Sequence, residues 1–189
     1  MSAQLDVLSV GYAADRVAGT VVLVRDDDHI VVIDPGMVAD RSRILGPLAD
    51  RGVAPDDVTD VVFSHHHPDH TVNAALFLRA RIHDFQATYV DDQWIDLAYD
   101  GGAEQLAPST RLLLTPGHTP QDVSTAVETA AGLVVCTHLW WTSEGPLEDP
   151  FAEDAALLQA SRDFVLALEP ALIVPGHGEP FAPSAATPR

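Results

Sequence analysis

The chain contains no lysine and a single cysteine, Cys136. One cysteine excludes an internal disulfide, and the surrounding run LVVCT reads as a buried strand carrying an inert, packed thiol. Positive charge is scarce. Ten arginines face 28 acidic residues, giving a formal net charge of -18. A surface of that sign repels phosphate backbones and anionic membranes, so neither nucleic acid nor a membrane is expected as a partner. No apolar run approaches the roughly 18 residues that a spanning helix needs. The N-terminus MSAQLDVLSV lacks a basic segment followed by an apolar one, so no secretory signal is expected and the cytoplasm is the expected compartment. Linkers, low-complexity runs and fixed-period repeats are also missing. The 189 residues therefore fit one domain with a substantial core. That domain is expected over residues 1–181, with APSAATPR at 182–189 as a disordered tail.

What is present is a series of short β-branched runs. LDVLSV (5–10), TVVLV (20–24), IVVID (30–34), DVVFS (60–64), QATYV (86–90), RLLLT (111–115) and ALIV (171–174) read as strands, and VSTAVET with GLVVCT as a hairpin. Helical spacing is found between Val38 and Arg51, with Gly52 as the stop, and TVNAALFL (71–78) reads as a helix start. Glu153 to Leu168 is the strongest helix, with Leu157, Ser161, Phe164, Val165 and Leu168 expected on one face. Strands followed by a helix in each half favour packed layers of sheet and helix, an α/β class.

Nine histidines occur, and four of them fall in SHHHPDHTVN, residues 64 to 73. His65, His67, His118, His138 and His177 each sit just past an apolar strand-like run, so they converge on one edge of a sheet where loops carry chemistry. In H-x-H-x-D-H, His65 and His67 can point to the same side, while Asp69 and His70 follow the Pro68 turn and face back across it. Such a loop suits two adjacent metal ions. Imidazole and carboxylate donors suit zinc, and also iron, manganese or nickel. His29, in an acidic turn, is expected at the surface. His66 is expected to point away from the metals, and His83 is a candidate for supporting them.

These stretches resemble the metallo-β-lactamase superfamily. The resemblance rests on VVIDPG (31–36), SHHHPDH (64–70), TPGHTPQDVS (115–124) and VPGHGEPF (174–181), in the superfamily's order. Within it the chain is similar to the subgroup of metallo-β-lactamase domain-containing protein 1, through RGVAPDDVTDVVFSHHHPDHTVN and HDF at 83–85. The resemblance implies an αββα sandwich with the metals at one edge, holding one or two zinc ions, with iron or manganese as alternatives. It assigns His65, His67 and His118 to the first metal, and Asp69, His70 and His177 to the second. Asp69 would also orient the attacking water, and Asp34 would support the site from a strand end. It implies a homodimer as well.

One position departs from the pattern. Where the superfamily has a carboxylate bridging both metals, this chain has His138 after GLVVCT. A neutral imidazole does not bridge as a carboxylate does. His138 could hold one metal, bridge as imidazolate, or yield to an acid of the following loop, among Glu144, Glu148, Asp149, Glu153 and Asp154. Asp122 is a further supporting candidate. Trp140 and Trp141 follow His138 and read either as core or as an apolar wall of a substrate pocket.

The expected activity is hydrolysis of an ester, thioester, lactone, amide or phosphoester of a small molecule by a metal-activated water. The alternatives are a mononuclear iron, oxygen-using enzyme similar to persulfide dioxygenases, and a non-catalytic metal-binding module. The chain is not expected to carry the C-terminal helical domain of glyoxalase II or the inserted domain of the superfamily's nucleases.

Overall fold

The structure is a computed structural model that describes residues 2–189. In chain order it runs β1 (Gln4–Ser9), β2 (Tyr12–Ala13), β3 (Val17–Ala18), β4 (Val21–Asp26), β5 (His29–Ile33), α1 (Ser42–Asp50) and β6 (Asp60–Val62). There follow α2 (Pro68–Thr71), β7 (Arg81–His83), β8 (Ala87–Val90), β9 (Gln93–Asp96), β10 (Ala103–Ala107), β11 (Thr110–Leu114), β12 (Val123–Thr129), β13 (Gly132–Thr137), α3 (Ala155–Ala167) and β14 (Leu172–Pro175). The large sheet has the order β1-β4-β5-β6-β7-β8-β9, and the second has β10-β11-β12-β13-β14.

Alternation along the strands sets the layers. Val22, Val24, Val31, Ile33 and Val62 of the large sheet meet Leu112, Val123, Val127, Val134 and Val174 of the second in one buried cluster. Their neighbours point outward. Val21, Leu23, Val32 and Val61 pack on Ile44 and Leu48 of α1, and Leu113, Ala126, Val135 and Ile173 pack on Leu158 and Val165 of α3. The chain is thus an αββα sandwich, as the resemblance implied. Cys136 lies in the inter-sheet core, where burial pushes its thiol pKa up.

Two expectations about elements need correction. Residues 71–78 do not start a helix. The one-turn α2 ends at Thr71, and a 3-10 turn covers Ala74–Leu76. Asn73 interrupts the helix because its side-chain amide donates to Gly36 O at 2.6 Å and its Oδ1 accepts from Arg41. In α3 the buried positions are Leu158, Ser161, Arg162 and Val165, whereas Leu157 and Phe164 are 45% and 44% exposed. Within residues 182–189, Pro188 O accepts from Trp140 Nε1, Thr187 is buried, and Arg189 pairs with Asp163. Among the described residues no helix is long and apolar enough to cross a membrane.

Candidate metal centre

The central strands deliver the donors. β5 and β6 run parallel, and so do β13 and β14, so their C-terminal ends open toward the loops that carry the histidines. His65 and His67 come from the loop after β6, Asp69 and His70 from α2, His118 from the loop after β11, His138 from the residue after β13, and His177 from the turn after β14. Close backbone approach makes this possible. A Cβ on Gly36 would lie 1.6 Å from Asp69 O, and one on Gly176 would lie 2.5 Å from His138 Cδ2.

All seven expected residues are brought together. His67 Nδ1 lies 2.9 Å from His65 Nε2 and 3.2 Å from His118 Nε2. Four nitrogens at zinc bond length in a tetrahedron would be about 3.3 Å apart, so these three fit a shared ion. Asp69, His70 and His177 form a second group, with Asp69 Oδ2 3.3 Å from His70 Nε2 and 3.6 Å from His177 Nε2. His70 Nε2 is buried and has no hydrogen-bond partner, an orphan that a cation would satisfy.

The opposite ring nitrogens are held as metal-ligating imidazoles require. His70 Nδ1–H donates to Asp34 Oδ2 at 2.8 Å, His118 Nδ1–H to Asp149 Oδ2 at 2.8 Å, and His177 Nδ1–H to Ala18 O at 3.0 Å. Ser64 Oγ lies 3.0 Å from His65 Nδ1. Asp34, at φ 52°, also accepts from Ser64 N–H at 2.7 Å, so one carboxylate anchors both ends of the β6 loop.

His138 stands in the middle. Its ring centroid lies 4.5 Å from that of His65, 4.8 Å from His70, 4.3 Å from His118 and 5.0 Å from His177. Its Nε2 is 3.0 Å from His177 Nε2, while its Nδ1 is buried without a partner. The loop acids do not take the bridging place. Glu144, Glu148, Glu153 and Asp154 are exposed, Asp154 caps α3, and Asp149 is committed to His118 and to Trp141 Nε1–H.

Burial and mutual repulsion among the imidazoles hold His65 and His138 well below the ordinary histidine range. His67 and His177 are lowered too, mainly by desolvation. Burial would lower His70, but Asp34 and Asp69 outweigh it and raise the pKa to about 9. Asp69 reaches about 2, because His70 and His177 overcome a desolvation cost that acts the other way. His65, His67, His138 and His177 are thereby kept as neutral imidazoles, the form in which metal ligands bind, whereas His70 must release a proton to take an ion.

Other expectations resolve separately. His66 does point away, to Asp84 Oδ2 at 3.0 Å. His83 does not support the metal centre: its Nε2 lies 2.8 Å from buried Asp60. His29 is half-buried against the same carboxylate at 2.9 Å. Asp122 accepts from Thr119 N–H and Oγ1–H, bracing the turn of His118, and burial pushes its pKa up to about 6. The tryptophans divide: Trp140 is fully buried in the α3 core, and Trp141 lines the cavity. That cavity, about 520 Å³, is bounded by Ala13, Ala14, Val17, Trp141 and Phe151 around the donor residues. The β2–β3 hairpin and Phe151 were not anticipated as site elements. Nothing in their local sequence marks them, since only the fold brings them over the histidines.

The sequence matches the family described as the metallo-beta-lactamase superfamily over residues 14–177. It is 32% identical to metallo-beta-lactamase domain-containing protein 1 of Xenopus laevis, covering 93% of this chain and 79% of that one. With the protein of the same name from Homo sapiens it is 38% identical, covering 80% and 59%. The chain thus spans less than two thirds of the human relative. Among solved structures, a Thermotoga maritima protein provisionally described as a metallo-beta-lactamase superposes with a TM-score of 0.76 at 22% identity, covering 97% of this chain and 100% of that one. A quorum-quenching N-acyl homoserine lactone lactonase gives 0.65 at 22% identity, covering 93% and 88%. These likenesses join the αββα sandwich and its edge of histidines in one conclusion: the chain belongs to the metallo-beta-lactamase superfamily.

Proposed function

We propose that this protein is a metal-dependent hydrolase of a small molecule, acting on an ester, thioester, lactone, amide or phosphoester. The observation that carries the reading is the convergence of His65, His67 and His118 nitrogens within 2.9 to 3.2 Å along two edges, with His67, His118 and Asp69 lining one cavity. His65, His67 and His118 would hold one divalent ion, zinc by donor chemistry, and Asp69, His70 and His177 a second. When bound, such an ion polarises a substrate oxygen and acidifies a water.

The chain's own groups do the rest. Asp69 faces the cavity with a pKa of about 2, so it is ionised at neutral pH. It orients the attacking water by accepting a hydrogen bond from it, takes that proton as the water oxygen bonds to the substrate, and gives it to the leaving group as the scissile bond breaks. Ala13, Ala14, Val17, Trp141 and Phe151 exclude water and take an apolar part of the substrate. The test is hydrolysis across a panel of these bond types. Asp69→Ala should lower kcat by roughly 10²- to 10⁴-fold while an ion stays bound at His65, His67 and His118. Unchanged turnover would sink the reading.

One observation favours a second reading. His138 adds an imidazole where a carboxylate is usual, and the result is a histidine-rich set that also suits a single iron. Iron in the purified protein, with oxygen consumption, would support it.

A further inference from the structure

Trp141 lines the cavity beside the donor cluster. Its ring lies 5.9 Å from that of His177 and stacks on Phe151 at 5.8 Å with an 11° tilt. Its indole N–H donates to Asp149 Oδ2 at 3.1 Å. The same oxygen accepts from His118 Nδ1–H at 2.8 Å, and Asp149 Oδ1 accepts from the Phe151 backbone N–H at 2.9 Å. The Asp149 side chain is 1% exposed, although Leu147 and Phe151 beside it are 69% and 66% exposed.

A carboxylate that only capped its own turn would need no donor beyond the Phe151 N–H. Asp149 instead spends one oxygen on a donor from the β11 loop and one from the segment after β13. We propose that Asp149 is a positioning residue that couples ion binding at His118 to the aromatic wall of Trp141 and Phe151, setting that wall for an uncharged apolar group of the substrate. The inference rests on His118 holding an ion, not on the reaction that follows.

The physical link is a shared acceptor. An ion at His118 Nε2 withdraws electron density and makes Nδ1–H a stronger donor to Asp149 Oδ2. The oxygen's bond to the Trp141 indole must respond, because both donors use the same atom. By linkage the effect is reciprocal: whatever changes the Trp141 bond to Asp149 changes the ion's affinity by the same factor. The ligand class follows from the lining. Apart from the donors, the cavity presents alanine, valine and aromatic carbon, and no arginine. An anionic group would find no cation there but the metal, and an apolar one would find two stacked rings.

The test needs no substrate. Zinc is titrated into metal-free protein carrying ¹⁵N-labelled tryptophan, with the Trp141 indole signal identified by its loss in Trp141→Phe. The Trp141 N–H resonance should shift on zinc binding, and should fail to shift in Asp149→Asn. Competition with a chromophoric chelator should show Asp149→Asn binding zinc about tenfold more weakly or worse. An unmoved indole resonance in the parent overturns the proposal, and this arm stands even if Asp149→Asn does not fold. A folded Asp149→Asn protein with parental zinc affinity, or with the same indole shift, overturns it equally. Because neither readout is hydrolysis, an absence of turnover would count against the hydrolase reading alone.

Discussion

Asp34 concentrates the demands of the site in one side chain. It satisfies the buried Ser64 N–H and His70 Nδ1–H at once. Asp34→Ala should therefore destabilise the protein by about 3–5 kcal/mol, the usual cost of stripping a partner from a buried charged pair, as read by denaturant unfolding. Gly36→Ala acts differently. Its Cβ would meet Asp69 O and the neighbouring backbone, which no rotamer change relieves, so ion binding at Asp69, His70 and His177 should be lost first. His70 gives a pH signature to the metal-free protein. Its folded pKa of about 9 is raised. The stability it adds is thus fully present below the unfolded value of about 6.5 and is lost as pH rises through 9. Unfolding of chelator-treated protein between pH 6 and 10 should show that decline, and zinc should flatten it.

Elements were legible where periodicity met a clear breaker. β5, β11, β13 and β14 follow apolar runs that stop at proline or histidine, and this placed the histidines at strand ends. Support for those histidines was not legible. Asp149 is 31 residues from His118, so no local pattern links them. The inward face of α3 was misread because Leu157 and Leu158 are adjacent, and a shift of one residue turns the stripe by about 100°. Burying Arg162 could not be anticipated from a charge, yet it is 1% exposed. Its guanidinium donates to the carbonyls of Leu139, Pro146 and Leu147, tying α3 to the segment that carries Trp141. Arg162→Ala should cost roughly 2–4 kcal/mol through those unpaired carbonyls. Hydrogen exchange should rise across 139–149 before it does in the sheets.

For the molecule as a whole, a net charge of -18 means self-repulsion in the compact state. Moderate salt should raise the melting temperature by screening it. Acid acts on a different place. Asp60 is buried at the start of β6, away from the metal centre. Desolvation would raise its pKa, but His83, Thr59 and His29 hold it far below the carboxylate range. The stability it contributes is present above the unfolded value of about 3.9 and is lost as pH falls toward its depressed folded value. Asp60→Asn should therefore show a shallower acid limb. The central claim, that the histidine edge is a metal centre altered by His138, is tested most directly by counting ions. Elemental analysis of protein purified without added metal, alongside His138→Asp, should find a firmly held ion at His65, His67 and His118 in the parent and a second, at Asp69, His70 and His177, held more tightly in the variant, because its carboxylate can bridge and neutralise a pair. A parent that retains no ion even after reconstitution with zinc would contradict the claim.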